Sequence, residues 1–267
     1  MRFATWNVNS IAARLPRLLE WLELVSPDVV CLQETKCAQT QFPVAELGAL
    51  GYDSAAHGLG AWNGVAVISR LGIEDVVRGL VDEVGFEGPE GRALGATCGG
   101  VRFWSVYVPN GRALDHPHYQ YKLSWMGLLR GVAAAELHQA PPLAICGDFN
   151  IAPTDADVWD PAAFATSTHV TPQERAALVS LLDLGLHDVV PRPMKHDHPF
   201  TYWDYRAGMF HKNMGMRIDL VYASPRLAQA VTDAYVDRDA RKGKLPSDHA
   251  PIVVDVTPAG GGSADGW

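Results

Sequence analysis

The stretch Leu143-Ala144-Ile145-Cys146-Gly147-Asp148-Phe149-Asn150 runs four apolar residues straight into a glycine, an acid and an amide. A short unbroken apolar run closed by turn residues is the pattern of a buried strand. This one delivers Asp148 and Asn150 to its end, where Gly147 allows another backbone or a ligand to approach closely. An Asx turn explains either residue alone; it does not explain both following a wholly apolar strand. An aspartate so placed can orient and deprotonate an attacking water, and Asn150 can donate hydrogen bonds to that water or to a phosphoryl oxygen.

The same kind of run recurs at 3–8, 29–33, 65–69, 93–97, 101–108, 218–223 and 252–256, rich in Val, Ile, Phe and Tyr and bounded by Gly, Pro, Asn and Asp. Helical spacing separates several of them: Leu15, Leu18, Leu19 and Leu22 form a stripe on 11–25, and Tyr121, Trp125, Leu128 and Leu129 one on 118–137. Thr171-Pro172-Gln173-Glu174 is a capping box with proline in the first turn, opening a third helix that runs through 176–184 and stops at Gly185. Two sheets packed face to face with helices outside bury every apolar face of such a chain. No repeat of fixed period is present, and the apolar runs spread evenly, so one domain is expected over 1–256, with a disordered tail over 257–267.

The chain has 267 residues and a net charge of -8, which argues against a protein that coats nucleic acid nonspecifically by neutralising many phosphates. It does not exclude an enzyme that grips a backbone with a few basic residues and holds a divalent cation on carboxylates. Cys31, Cys37, Cys98 and Cys146 have neither a paired C-x-x-C nor a zinc-ligand spacing, so reduced thiols in an intracellular compartment are expected, with Cys31 and Cys146 as core packing. The N-terminus carries no secretory leader and no apolar run is long enough to span a bilayer, giving the expectation of a cytoplasmic protein.

Polar groups collect at other strand ends. Asn7 and Asn9 close the first run, and Glu34 and Lys36 follow the second, a carboxylate there being a hard ligand suited to magnesium. Asp219 sits within an apolar run and needs a partner, which His249 of Ser247-Asp248-His249 can be; an imidazole kept cationic by a buried carboxylate offsets charge on phosphate. The other nine histidines read as surface or packing. Tyr107, before Pro109-Asn110-Gly111, either packs or brings a phenol to a phosphate or leaving oxygen.

Together these segments resemble the exonuclease III family of abasic-site endonucleases, within the endonuclease/exonuclease/phosphatase superfamily. The likeness runs from Thr5-Trp6-Asn7 to Ser247-Asp248-His249, narrowed by Leu32-Gln33-Glu34-Thr35-Lys36, Tyr202-Trp203-Asp204-Tyr205-Arg206 and Met216-Arg217-Ile218-Asp219-Leu220. The resemblance implies a four-layer α/β sandwich of two mixed sheets. It implies magnesium, with manganese as a substitute and one or two ions undetermined, held chiefly by Glu34 with Asn7, Asp148, Asn150, Asp248 and His249 in the metal–water network. Tyr107, Asp148, Asn150, Asp219 and His249 would be catalytic, Asp219 and His249 as a buried dyad. Tyr202, Met216 and Ile218 would form an apolar pocket for a flipped-out abasic sugar, Tyr202 standing where Trp or Phe is the family habit. Lys36, Arg112, Arg206, Lys212 and Arg217 would grip the DNA backbone.

The implied activity is hydrolysis 5' to an abasic site in double-stranded DNA, with 3'-to-5' exonuclease and 3'-end-cleaning activity from the same site in a monomer. A phosphatase of inositol phosphates or lipid headgroups would use the same metal and base; the Tyr202, Met216 and Ile218 positions speak against it. A non-catalytic DNA-binding scaffold has no need of so many converging polar groups.

Overall fold

The structure is a computed structural model that describes residues 1–139 and 141–257; the tail expected to be disordered lies outside them from residue 258 onward. The strands are β1 (Arg2–Asn7), β2 (Val29–Gln33), β3 (Asp53–His57), β4 (Val65–Ser69), β5 (Glu74–Arg78), β6 (Ala93–Cys98), β7 (Val101–Tyr107), β8 (Leu143–Asp148), β9 (His187–Asp188), β10 (Asp219–Ala223), β11 (Val231–Val236) and β12 (Ile252–Val256). They make two six-stranded sheets, ordered β11-β12-β1-β2-β4-β3 and β5-β6-β7-β8-β10-β9. Each sheet has one parallel pair at its centre, β1 with β2 and β7 with β8, and antiparallel neighbours outward. A parallel pair needs a long crossover, supplied here by helix α1 (Ile11–Val25) between β1 and β2 and by α3 (Pro117–Gln139) between β7 and β8, while α2 (Val44–Ala49) leads from β2 to β3. Only α1 and α3 are the crossovers of the parallel pairs; α4 (Pro172–Leu182), α5 (Met209–Lys212) and α6 (Pro225–Ala230) follow. The result is the four-layer α/β sandwich.

Side chains alternate along each strand, and the alternation sorts the core. Ala4, Trp6, Val30 and Leu32 point to the helix side of the first sheet, and Leu143, Ile145, Leu220 and Tyr222 to that of the second. Phe3, Val29, Cys31, Phe103, Ala144, Cys146 and Val221 fill the space between the sheets. Phe3 and Phe103 meet edge to face there, ring centroids 5.3 Å apart, a contact that contributes about 0.5–1.5 kcal/mol beyond area burial. All four cysteines are buried and free.

Polarity rises along the inward positions. After the apolar layer come Thr5, Gln33 and Ser105, fully buried and mutually satisfied: Thr5 Oγ1 donates to Gln33 Oε1 (3.2 Å), Gln33 Nε2 to Ser105 Oγ (3.0 Å), and Ser105 Oγ to the Leu32 carbonyl (2.9 Å). The next inward positions are Asn7, Tyr107, Asp148 and Asp219. Period two thus carries one face of four strands from core to functional groups at a single end of the sandwich.

Two details depart from the expectations. The buried face of α3 includes Lys122 and Glu136 beside Trp125, Met126, Leu129 and Ala133, while Tyr121 and Leu128 are only partly buried. Helix α4 ends two residues early but opens on the capping box as read, Thr171 and Glu174 each accepting the other's backbone N–H. Among the described residues no helix is long and apolar enough to cross a membrane.

Candidate active site

Register brings the polar strand ends together. Asn7 stands opposite Gln33, the residue before Glu34, while Tyr107 and Asp219 flank Asp148 on either side. Gly147 is required beside Asp148: at φ 154° any Cβ would overlap the Val106 carbonyl of the neighbouring strand. The Asn7 amide bridges the two sheets, donating to Glu34 Oε1 (2.8 Å) and Asp148 Oδ2 (3.0 Å), while its Oδ1 accepts the Asn9 N–H (3.0 Å). Asp148 Oδ1 accepts the Asn150 N–H at 2.9 Å.

His249 lies between two carboxylates. Its Nδ1–H donates to Asp219 Oδ2 at 2.8 Å, and its Nε2 is 3.8 Å from Asp148 Oδ2. The second separation exceeds hydrogen-bond range, leaving the Nε2 proton for another acceptor. Burial alone would lower the His249 pKa; Asp219 and Asp148 outweigh it and raise it to about 10. Asp148 goes up to about 7, driven by burial and by Asp219 and Glu34 against the opposing pull of His249. Burial would also raise Glu34, but Lys36 and the Asn7 amide hold its carboxyl below the ordinary range. The Tyr107 phenol is kept protonated by burial and by the adjacent Glu34 and Asp148. One cationic imidazole, one ionised carboxylate and one carboxylate poised near neutrality therefore share a small volume. Separated pKa values of this kind allow acid–base chemistry at neutral pH.

The ligand atoms of Glu34, Asp148 and His249 lie within 4.8 Å of one another. Since His249 Nε2 carries a proton, the fitting donors are the two carboxylates, a hard oxygen set of the kind magnesium takes while keeping several waters. The other expected metal-network residues stand apart from that donor set. Asn7 turns its NH₂ to both carboxylates. Asn150 accepts from Asn110 Nδ2 (3.1 Å) and donates to the Val108 carbonyl (3.0 Å), so its amide is engaged in the loops. Asp248 accepts from Asn9 Nδ2 at 3.0 Å, outside the three-residue group. Asn9 also takes Lys36 Nζ at 2.6 Å, which links Asp248 to the Glu34–Lys36 ion pair.

Metal binding gives a direct test. A cation that binds only the folded protein stabilises it by about 2.7 kcal/mol at a hundred times its Kd. Magnesium should raise Tm by several degrees, more at pH 8 than at pH 6 because Asp148 must lose its proton, and Glu34→Gln should remove most of the rise. An equal rise in the variant, followed by thermal melts, would place the metal elsewhere.

Two grooves flank the cluster. One, about 550 Å³, is lined by Tyr202, Met216, Trp159, Phe164, Arg112 and Arg206; the Tyr202 ring lies 4.9 Å from the His249 imidazole. Ile218 does not line it and packs behind with Ala152, Val158 and Met216. The other, about 640 Å³, runs from Glu34, Lys36 and Tyr107 to Phe86 and Trp62. Arg112 stands between them with its guanidinium over the Phe86 ring (5.6 Å). Arg206 is exposed and forked onto Asp204, and Lys212 is exposed.

Arg217 corrects the backbone-grip expectation. Its guanidinium is buried, donating to Asp157 (2.6 Å) and Asp188 (3.0 Å), and could reach a phosphate only by leaving two buried carboxylates unpaired. Trp203 is fully buried core. Trp62, Asn110 and Lys122 adjoin the site without standing among the residues its motifs single out. Trp62 is 80% exposed, and an aromatic in a Gly-rich loop, Gly60-Ala61-Trp62-Asn63-Gly64, was its available signal. A lysine on the apolar stripe of α3 was that of Lys122.

Two sheets that present a carboxylate pair and a carboxylate-held imidazolium at their common end define a metal-assisted hydrolase of phosphate esters. A profile of the endonuclease/exonuclease/phosphatase family matches residues 4–249. Exodeoxyribonuclease III of Haemophilus influenzae is 31% identical, covering 94% of this chain and 98% of that one. Among solved structures, the 3' phosphatase NExo from Neisseria bound to a product DNA hairpin is 39% identical with a TM-score of 0.91, covering 96% of this chain and 99% of the other. An AP endonuclease from Archaeoglobus fulgidus is 35% identical with a TM-score of 0.90 over the same shares. The chain belongs to the exonuclease III family of nucleases, within the endonuclease/exonuclease/phosphatase superfamily.

Proposed function

We propose that this chain is a magnesium-dependent DNA repair nuclease, able to use manganese, that cleaves double-stranded DNA 5' to an abasic site. The same site would remove nucleotides, phosphates and sugar remnants from 3' ends. The observation that carries the reading is the Glu34–Asp148–His249 cluster opening beside the Tyr202–Met216 groove. Relatives named as an exodeoxyribonuclease, a 3' phosphatase and an AP endonuclease support DNA as the substrate.

Asp148 accepts the proton of a water that attacks phosphorus in line with the departing 3'-oxygen. His249 directs its Nε2 proton at a non-bridging oxygen, with Asp219 holding the imidazole in orientation. Tyr107, kept neutral, offers its phenol to the phosphate or the leaving oxygen. A divalent cation held by Glu34 and Asp148 would supply Lewis-acid offset of phosphoryl charge. The groove at Tyr202 and Met216 would take the deoxyribose next to the scissile bond, and Lys36, Arg112, Arg206 and Lys212 would meet backbone phosphates. A monomer working in the cytoplasm, where the four buried thiols stay reduced, completes the proposal.

The test is a duplex carrying one tetrahydrofuran abasic analogue beside an undamaged duplex with a recessed 3' end, each with magnesium and with EDTA. Incision 5' to the analogue and shortening of the 3' end, both abolished by EDTA, are expected, and their relative rates rank the activities. If folded protein cut neither, the DNA-repair reading would fall and phosphorylated inositols would be the next substrates to try.

A further inference from the structure

Behind the site, two loops carry Asn110 and Asn150 over the N-terminal half of α3. Lys122 reaches them from that helix. It is fully buried, and the three protons of its ammonium meet three acceptors: Glu174 Oε1 (2.5 Å), the Asn150 carbonyl (2.7 Å) and the Asn110 carbonyl (3.3 Å). Glu174, also fully buried, takes the His169 N–H on Oε1 (2.9 Å), and the Thr171 N–H (3.0 Å) and hydroxyl (2.8 Å) on Oε2. His169 returns to the same carbonyl, Nδ1 lying 2.5 Å from Asn150 O. A carbonyl only accepts, so Nδ1 is the protonated nitrogen.

The convergence fixes a backbone that a non-glycine residue rarely adopts. Asn150 has φ 51°, in the left-handed region. In that conformation its N–H reaches Asp148 Oδ1, and its amide joins Asn110 to the Val108 carbonyl. A buried ion pair contributes little net stability compared with an apolar pair of equal volume. Lys122 aims two of its three protons at loop carbonyls next to the reacting carboxylate.

We propose that Lys122 and Glu174 are positioning residues for the nuclease reaction: they touch neither substrate nor reacting atoms, and they hold the Asn110 and Asn150 loops so that Asp148 is aimed at the attacking water. The proposal rests on the nuclease reading above. Misplacement of a reacting group by about 1 Å costs on the order of 10²-fold. Lys122→Met should therefore lower kcat on the recessed-3' duplex by about 10- to 100-fold with KM within about twofold, and should lower Tm because Glu174 is left buried and unpaired.

The deciding variant is Lys122→Met with Glu174→Gln. Glutamine serves a capping box as well as glutamate, and no unpaired buried charge remains. Tm should recover toward wild type while kcat stays low. If kcat recovers with Tm, or if the double variant cannot fold, the pair is merely structural and the proposal is overturned. Wild-type protein measured alongside separates the two readings: an inactive wild type removes the nuclease reading and this proposal with it, whereas an active wild type with a fully active double variant removes this proposal alone.

Discussion

Asp148→Asn is expected to lower kcat by about 10⁴-fold, the upper end for loss of a general base, with KM little changed. Asparagine keeps the shape and cannot accept a proton from water. The substitution should also leave a signature in stability. Asp148 in the folded protein titrates at about 7 against an ordinary 3.8, so without metal the native state holds that proton more tightly than the unfolded chain. Its contribution is fully present below the unfolded value and declines as pH rises through about 7. The variant has no such proton to lose. Its Tm minus that of wild type should therefore become more positive between pH 4 and 8 in EDTA. Single-turnover cleavage at near-native rate would eliminate Asp148 as the base, and a flat Tm difference would contradict its raised pKa.

His249→Ala should be nearly as damaging to turnover, by about 10²–10³-fold for loss of one preorganised donor to developing charge. It should also destabilise by about 3–5 kcal/mol, because Asp219 remains buried without its partner. His249→Asn separates the effects: its amide can still donate to Asp219, so Tm should recover in part while turnover does not. The pH dependence follows from the raised pKa of His249, about 10 against 6.5. Stability from the pair is fully present below 6.5 and lost as pH rises through about 10, so the gap in Tm between wild type and His249→Ala should shrink across that interval. A gap independent of pH would mean that the imidazole is neutral in the native protein.

The eight strands legible as apolar runs are the eight interior strands of the two sheets. The four that were not, β3, β5, β9 and β11, are the four edges. An edge strand faces solvent along one side, so β5 reads Glu-Asp-Val-Val-Arg and is mostly exposed, and nothing in its pattern separates it from a loop. The site was legible for a related reason. Asn7, Tyr107, Asp148 and Asp219 continue the inward parity of buried strands, and parity is local. Their partners Glu34 and His249 follow from the same strand ends and from the need of a buried acid for a cation.

Sequence alone determined which strands are buried, which of their faces turns polar, and at which end of the sandwich the chemistry sits, because each depends on residues two to eight positions apart. Tertiary structure alone decided the fate of the long cations. Arg217, adjacent to site residues in sequence, is withdrawn into Asp157 and Asp188, 60 and 29 residues away. Lys122, on a helix that reads as ordinary core packing, is drawn beneath the site by Glu174 and two loop carbonyls. A charged group is buried only where partners satisfy it, and for a long flexible side chain those partners come from distant segments that only the folded chain brings together.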